Sequence, residues 1–316
     1  MNAMQTQGLA FSIGALVLAV VAVTTARLDS RIELIVVAAL IVLLGVPHGA
    51  LDTIFARRLY GIQTLGGWLR FAVIYVLLSA SVVGFFLLAP SGFLIGFLLI
   101  SMLHFSGDPS AGTPWLARAL YGGAIIVLPT LLHSAEMVRL FALLVGNDSA
   151  TLVTQFLHLL AWPWSIGYGL AVIQRLPKDW LTALEMGAVA VLAICAPPLI
   201  SFTVFFCAMH SARHILRAIN YSGRSSLAFI LGAMLLPMLG VLVASAAAWQ
   251  FLDGSPLSAA IIQLVFVGLA ALTVPHMALV ERVRLSGWVM KSSNHRHRFS
   301  KPAGKRQGNR IGDEGR

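Results

Sequence analysis

Two histidines one helical turn apart are the clearest feature of this sequence that could do chemistry. His210 and His214 stand four residues apart in the stretch HSARH, inside a long apolar segment. Residues i and i+4 of an α-helix lie on the same face, so this spacing suits two ligands of one metal ion. The pattern is weak by itself, because an HxxxH spacing also occurs by chance and in ordinary helix–helix contacts. The pair therefore needs partners elsewhere in the chain.

Two further histidines are each followed four residues later by an aspartate. They are His48 with Asp52, in VPHGALD, and His104 with Asp108, in LHFSGD. If the helix persists, each carboxylate lies one turn beyond its own imidazole, where it can reach a ring on another helix. Metal-binding imidazoles usually donate their second N–H to a carboxylate or a carbonyl. The repeated spacing therefore predicts a metal site built from several helices, in which the two aspartates orient the ligands.

A fifth histidine, His276, closes the last apolar segment in the stretch VPHMALVE. No carboxylate follows it at the same spacing, because Glu281 comes five residues later. From the residues alone, its role stays open between a fifth ligand, a group that orients a ligand and a substrate contact. Two other histidines have different expected roles: His158 makes a hydrogen bond between helices, and His133 lies at the opposite membrane face.

The chemistry of the predicted site follows from its donor atoms. All-imidazole sites without thiolate ligands suit iron, copper or zinc. A zinc hydrolase of the HExxH type carries its general-base glutamate beside the ligands, whereas Ser211 and Ala212 occupy that region here. Neutral imidazoles leave the metal its full positive charge and can leave positions open for dioxygen. The donor set therefore favours redox or oxygen chemistry, and the HxxHH boxes of a di-iron desaturase are absent from the sequence.

The elements that carry these histidines are predicted to be membrane helices. The 316 residues are 58% hydrophobic and 11% charged, whereas soluble domains carry about 25% charged residues. Apolar stretches that approach the roughly 20 residues needed to cross a bilayer recur along the chain. They are residues 9–26, 32–49, 71–89, 93–106, 115–133, 136–146, 151–174, 180–196, 198–217, 227–251 and 257–277. With the short stretch 136–146 interpreted as interfacial or re-entrant, the sequence predicts an all-α, polytopic membrane bundle of about ten transmembrane helices.

The distribution of basic residues predicts the orientation of the bundle. Lys and Arg concentrate in the loops after the even-numbered spans, for example Arg57 and Arg58, or Arg213 and Arg217. The positive-inside rule then places these loops and both termini in the cytoplasm. The four motif histidines and His276 all close even-numbered spans, so they share one depth in the membrane. The predicted location is the cell (inner) membrane, with the lipid bilayer as the surrounding partner.

The C-terminal residues are predicted to form a separate region. Residues 291–316 contain eight Lys and Arg against Asp313 and Glu314, which is +6 of the net charge of +10. They have almost no apolar residues, so a disordered cytoplasmic tail near anionic lipid headgroups is expected. No folded basic module accompanies this tail, which argues against nucleic-acid binding. The predicted organisation is a membrane-embedded catalytic domain over 1–290 followed by the tail.

Taken in order, the motifs resemble those of a known family. PHGALD, HFSGD, HSARH followed by Arg217, and VPHM are similar to the motifs of the Brp/Blh-type β-carotene 15,15′-dioxygenases of bacteria and archaea. The resemblance covers residues 35–285. Ser106 in HFSGD departs from the glycine that is common in the family, which is a small change that removes no ligand. The basic tail lies outside the resemblance.

The resemblance implies an integral membrane enzyme that holds Fe(II) through histidines. It would cleave the central 15,15′ double bond of β-carotene with O2 and yield two molecules of all-trans-retinal, which could supply a rhodopsin. The iron ligands and catalytic residues that it implies are His48, His104, His210 and His214. Asp52, Asp108 and His276 are candidates for orienting the ligands or contacting the substrate.

A substrate of this kind requires an apolar tunnel between helices, lined by aromatic and Met side chains. Candidates near the histidines are Phe55, Met102, Phe105, Phe205, Phe206, Met209 and Met277.

Two functions of other classes stay open beside this leading hypothesis. A membrane metal-ion transporter would use the histidines and aspartates as stations along a path, and would need polar groups at several depths. The single layer of histidines and the scarcity of carboxylates in the outer half of the spans disfavour it. A haem-binding membrane electron carrier would clamp haem between paired histidines and would show a Soret absorption band.

Overall fold

The computed structural model of the protein describes residues 1–25, 30–223, 226–252 and 254–283. Across those ranges the regular structure is helical and contains no strand, so the all-α prediction is confirmed. The predicted basic tail 291–316 lies outside the described residues, as do residues 284–290 and the loop residues Arg224 and Asp253. The division into a catalytic domain and a tail therefore stays a prediction.

The helices follow one another through short connections, and two π-helical segments interrupt them at Ile41–Gly45 and Phe205–Ser211. In chain order the α-helices are α1 (Ala3–Thr24), α2 (Ser30–Leu40), α3 (Pro47–Ala50), α4 (Asp52–Tyr60), α5 (Leu65–Leu88), α6 (Pro90–Phe105), α7 (Trp115–Val127), α8 (Thr130–Val145), α9 (Asn147–Arg175), α10 (Trp180–Cys195), α11 (Pro198–Val204), α12 (Ala212–Ser222), α13 (Leu227–Gln250) and α14 (Leu257–Val283).

Seven helical segments in the described part of the chain are long and apolar enough to cross a bilayer. They are Ala3–Thr24, Arg31–Tyr60, Leu65–Leu88, Asn147–Arg175, Pro198–Ser222, Ala228–Gln250 and Leu257–Val283. An eighth is the pair α7 and α8, which bends by 60° at its junction and includes the stretch 136–146 predicted to be interfacial or re-entrant. A helical membrane bundle is therefore supported, whereas the predicted count of about ten transmembrane helices is not confirmed.

The count differs because two predicted spans form short helices. α6 and α10 are apolar but contain only 16 residues each. At 1.5 Å per residue such a helix is about 24 Å long, which is less than the roughly 30 Å of the bilayer hydrocarbon core. The predicted cytoplasmic location of the termini depends on the order of the spans, and it stays a prediction.

Local sequence signals set several helix ends. The side chain of Asn2 accepts the backbone N–H of Gln5 at 2.9 Å, and the Gln5 side chain accepts the N–H of Asn2 at 2.9 Å. This reciprocal capping box begins α1. Pro90 and Pro198 open α6 and α11, at a position where the missing N–H costs no helical hydrogen bond. Gly61 ends α4 with a φ of 62°, a left-handed conformation that favours glycine.

The helices pack pairwise around an apolar interior. α1 packs against α10, α8 against α9, α5 against α14, and α6 against α7. At the last of these contacts a Cβ atom on Gly122 would lie 2.0 Å from the carbonyl oxygen of Met102, so only glycine permits the approach. In contrast, an 18-residue apolar stretch within α5, and another within residues 228–250, contain no buried residue. In a bilayer these apolar faces would meet lipid.

The two π-helical segments position two of the histidines. In the first, the N–H of Val46 donates to the carbonyl of Ile41 at 2.8 Å, a bond that spans five residues instead of four. Pro47 then opens α3, which carries His48. The second segment contains His210 itself and packs against the first. Such segments bend a helix locally and are frequent at functional sites.

Candidate metal centre

Five imidazole rings from distant parts of the chain meet beside the π-helical segments. They belong to His48 on α3, His104 on α6, His210 in the second π segment, His214 on α12 and His276 on α14. Ring centroids lie 4.4 Å apart for His104 and His210, and 4.8 Å apart for His214 and His276. His48 is central to the group, with its ring centroid 5.0 Å from that of His210 and 5.1 Å from that of His276. The structure thus brings together all four ligands that the family resemblance implied, and adds His276.

His276 belongs to a close group of three donor atoms. One ring nitrogen each from His48, His104 and His276 lie within 4.8 Å of one another, a spacing that could accommodate a metal ion. His48 and His276 are buried, and His104 is half-buried. The sequence left the role of His276 open between ligand, orienting group and substrate contact. Its position among the other imidazoles favours a direct contact with a bound metal.

Both aspartates bond to a histidine on another helix. Nδ1 of His276 lies 2.7 Å from Oδ1 of Asp52, and Nδ1 of His210 lies 2.9 Å from Oδ2 of Asp108. The Nε2 atoms of these two histidines are buried and have no hydrogen-bond partner. Buried polar atoms normally find a partner. A carboxylate on Nδ1 together with a vacant Nε2 is the arrangement of a metal-binding imidazole, so these residues fit a metal ion.

A backbone carbonyl takes the place of the carboxylate at His48. Nδ1 of His48 lies 2.6 Å from the carbonyl oxygen of Gly45, the last residue of the first π segment. The hydroxyl of Ser211 donates to the same carbonyl at 3.2 Å and lies 3.0 Å from Nδ1 of His48. A Cβ atom on Gly45 would lie 2.4 Å from a ring carbon of Phe206, so glycine is needed at this contact. These contacts fix the orientation of the His48 ring.

Tyr75 is a residue of the site that sequence reasoning missed. Its hydroxyl donates to Oδ2 of Asp52 at 3.0 Å and also lies 3.4 Å from the carbonyl oxygen of Leu272. Asp52 is thereby held between Tyr75 on α5 and His276 on α14. No local pattern marks Tyr75, because it is one aromatic residue in an apolar helix and its role depends on how that helix packs.

Two arginines hold the loop that contains Asp108. Arg213 and Arg217 donate to the backbone carbonyl of Asp108 at 3.1 and 2.8 Å. Burial raises the pKa of the Asp108 carboxyl, but contacts with His210 and the two guanidinium groups outweigh burial and lower this pKa below its usual value. Asp108 is therefore ionised at neutral pH and can accept the Nδ1–H of His210.

An apolar cleft between α6, α7, α8, α11 and α14 leads toward the histidines. Part of the cleft is open to the surroundings, and its lining is apolar apart from Ser101. The lining residues include Phe97, Phe202 and Phe266. The Phe202 ring stacks on Phe206 with centroids 5.5 Å apart, and the Phe206 ring stacks on His210 at 5.8 Å. Aromatic rings therefore connect the cleft to the imidazole cluster.

None of the seven tunnel candidates from the sequence lines the cleft, and three of them pack against the imidazole cluster. Phe55 is fully buried against His214, with ring centroids 5.6 Å apart. Phe105 packs against His210 at 5.0 Å, and Phe206 joins the cluster to the cleft. The cleft lining itself was missed, because it lies on α7 and α8, which carry no clustered histidine, and on parts of α6, α11 and α14 that precede the histidines in the chain.

The two other membrane histidines lie outside the cluster. His158 Nδ1–H donates to the carbonyl of Thr130 on α8 at 2.8 Å, which confirms the predicted hydrogen bond between helices. His133 lies at a kink inside α8, 3.9 Å from a carboxylate oxygen of Glu136.

Comparison with known proteins gives one consistent result. The family model described as Beta-carotene 15,15'-dioxygenase matches residues 39–283, a range that contains all five clustered histidines and excludes α1. The β-carotene 15,15'-dioxygenase of uncultured marine bacterium 66A03 is 33% identical, over 77% of this chain and 91% of that protein. The probable β-carotene 15,15'-dioxygenase Blh of Halobacterium salinarum is 27% identical, over 76% of this chain and 81% of that protein. No solved structure matches the chain with significance. The chain therefore belongs to the β-carotene 15,15'-dioxygenase family.

Proposed function

We propose that the protein is a membrane-embedded non-haem Fe(II) dioxygenase that cleaves the central 15,15′ double bond of β-carotene with O2 and releases two molecules of all-trans-retinal. The observation that carries this proposal is the cluster of five imidazoles, two of which have a carboxylate on Nδ1 and a buried, unpartnered Nε2. The names of the relatives supply the substrate and the position of the cleaved bond. The retinal released by this reaction could then supply a rhodopsin, as the family resemblance implies.

The all-imidazole donor set supports iron over metals that prefer thiolate or carboxylate ligands. His48, His104, His210 and His214 would hold Fe(II), and His276 would join them. Imidazoles without thiolates suit a metal that works with dioxygen. Bound there, Fe(II) would supply the oxidative chemistry, while the protein supplies position and surroundings.

The chain itself would bind the polyene and select the bond that reacts. β-Carotene is a hydrocarbon that dissolves in the bilayer, so it can enter laterally between helices. The cleft lined by Phe97, Phe202 and Phe266 offers an apolar surface for one arm of the polyene. The stacked pair Phe202 and Phe206 would guide this arm toward His210 and exclude water from the reacting bond.

Expression in cells that accumulate β-carotene tests the proposal directly. We expect the wild-type protein to remove the orange colour and to produce retinal, and the purified protein to contain iron. His210→Ala should produce no retinal and bind no iron while remaining in the membrane. Continued orange colour with no retinal, despite folded and iron-loaded protein, would reject the proposal. A Soret band would favour the haem carrier, and metal uptake by proteoliposomes would favour the transporter.

Removing the carboxylate that orients His276 should weaken metal binding. We expect Asp52→Ala to lower the Fe(II) affinity about 10–100-fold, as is usual when the hydrogen-bond partner of a ligating histidine is lost. Asp52→Asn keeps an oxygen acceptor for Nδ1 of His276, so its loss should be smaller. Titration of the purified apoprotein with Fe(II) measures both. Equal affinities for Asp52→Ala and the wild type would show that this contact does not support the metal.

Filling the cleft should impair substrate binding without affecting the metal. Leu98 lines the cleft, and Leu99, the next residue of α6, is 55% exposed. Leu98→Trp is expected to raise the KM for β-carotene at least about 10-fold, equivalent to about 1.4 kcal/mol. Leu99→Trp adds the same bulk outside the cleft and should leave KM near the wild-type value. A similar KM for both variants would place the substrate elsewhere.

A further inference from the structure

A buried ion pair lies directly behind the imidazole cluster. Arg213 stands between His210 and His214 in the chain, and its guanidinium group meets the Glu185 carboxylate at 3.0 and 2.7 Å. The two side chains are only 4% and 5% exposed. Glu185 comes from α10 and belongs to none of the histidine motifs. Such a two-point contact fixes the plane of the guanidinium group as well as its position.

The remaining donors of Arg213 reach two other elements. Nη1 donates to the backbone carbonyl of Asp108 at 3.1 Å, and Nε donates to Oε1 of Gln7 at 3.1 Å. Asp108 in turn accepts from Nδ1 of His210. Through the backbone carbonyl of Asp108, Arg213 therefore connects Glu185 and Gln7 to the residue whose carboxylate orients His210.

Gln7 also holds the π-helical segment that contains His210. Its Nε2 donates to the carbonyl oxygen of Ala208 at 2.7 Å, two residues before His210. A π-helical insertion disturbs the regular bonding of nearby carbonyls, and here a side chain from another helix binds one of them. α1 thus contacts both the segment before His210 and the arginine that follows it.

The backbone of α1 closes over the ion pair. A Cβ atom on Gly8 would lie 1.8 Å from Oε1 of Glu185 and 2.9 Å from Nη2 of Arg213. Only a glycine permits this approach, which covers the pair and keeps it away from lipid and water. α1 precedes the residues 39–283 that match the family, so this cover comes from outside the matched region.

We propose that Gln7 and Glu185 are positioning residues for the metal centre, which act by clamping Arg213, the π-helical segment and Asp108 around His210. Gln7, Glu185 and Arg213 lie outside the imidazole cluster, and through these contacts they would set the direction of the His210 ring. The inference rests on the proposed iron centre, and its test measures metal binding instead of retinal formation. A role in stability alone is the competing explanation. It can be tested separately, because a buried ion pair can often be replaced by apolar residues without loss of stability.

The single variants test positioning against a matched control. We expect Glu185→Gln and Gln7→Leu each to lower the Fe(II) affinity about 10-fold or more. Both should also change the EPR spectrum of the protein loaded with Fe(II) and nitric oxide. The control is Gln263→Leu, because the Gln263 side chain likewise donates to a backbone carbonyl of another helix, that of Leu143, at 2.9 Å. It should keep the wild-type Fe(II) affinity and spectrum.

A double variant separates positioning from stability. Glu185→Leu combined with Arg213→Met replaces the ion pair with apolar side chains, and we expect its thermal stability to match or exceed that of Glu185→Gln. Its Fe(II) affinity should stay low, because the clamp is gone. Wild-type affinity and spectrum in the two single variants and the double variant would overturn the inference and leave the proposed function intact. Wild-type protein that binds no Fe(II) would overturn both.

Discussion

Replacing His276 by alanine is expected to remove measurable Fe(II) binding and to lower retinal formation at least about 100-fold, which exceeds the usual effect of losing an orienting partner. One ring nitrogen of His276 lies within 4.8 Å of a nitrogen of His48 and of His104, and its Nδ1 is held by Asp52. Its buried Nε2 has no other partner. Iron analysis and a retinal assay on the purified variant check this prediction.

His158→Ala is the matched control for this variant. It removes an imidazole from the same bundle, but His158 bonds to Thr130 on a neighbouring helix and lies outside the cluster. We expect a lower melting temperature with unchanged iron content. If His276→Ala retains iron and activity, the other four histidines suffice and His276 has another role.

Gly122→Ala is expected to destabilise the protein by about 1–3 kcal/mol or more and to weaken Fe(II) binding. The added Cβ would lie 2.0 Å from the carbonyl oxygen of Met102 and 2.8 Å from the backbone nitrogen of Ser106. These are backbone atoms, so α6 must move away from α7. His104 lies between these two positions on the same stretch of backbone and would move with it. Thermal unfolding and Fe(II) titration measure the two effects.

The control here is Gly169→Ala. A Cβ atom at Gly169 meets no atom within 4 Å, and the residue is exposed on α9. Alanine is a better helix former than glycine by up to about 1 kcal/mol, so this variant should be as stable as the wild type or slightly more stable. Equal melting temperatures for the two variants would show that α6 and α7 can separate at little cost.

The sequence predicted the parts of the site that depend on local spacing. Hydrophobic segments of sufficient length predicted a helical membrane bundle. The HxxxD spacing predicted that Asp52 and Asp108 would reach rings on other helices, and the structure has both contacts. The helix does not persist between the members of either pair, because α3 ends at Ala50 and α6 ends at Phe105. Each aspartate still follows its histidine closely enough to reach a ring on another helix.

The parts that were missed depend on packing between distant segments. The π-helical segments have no sequence signature in single residues, and they allow the close approach of Gly45 and Phe206. The contact of Tyr75 with Asp52 and the ion pair of Glu185 with Arg213 likewise join helices that no local pattern relates. The predicted count of spans is not confirmed, because an apolar composition does not distinguish a full span from a shorter helix such as α6 or α10.

The position of His276 has a consequence for how the protein is made. Asp52 and His276 are separated by 224 residues, and His276 lies on the last described helix, α14. During synthesis the first four histidines of the cluster enter the membrane while this helix is still missing. The proposed iron centre is complete only after α14 has inserted and packed against α4 and α5. Stable capture of the metal would then mark a chain whose insertion is finished, and chains that end before α14 would be recognisable by their lack of iron.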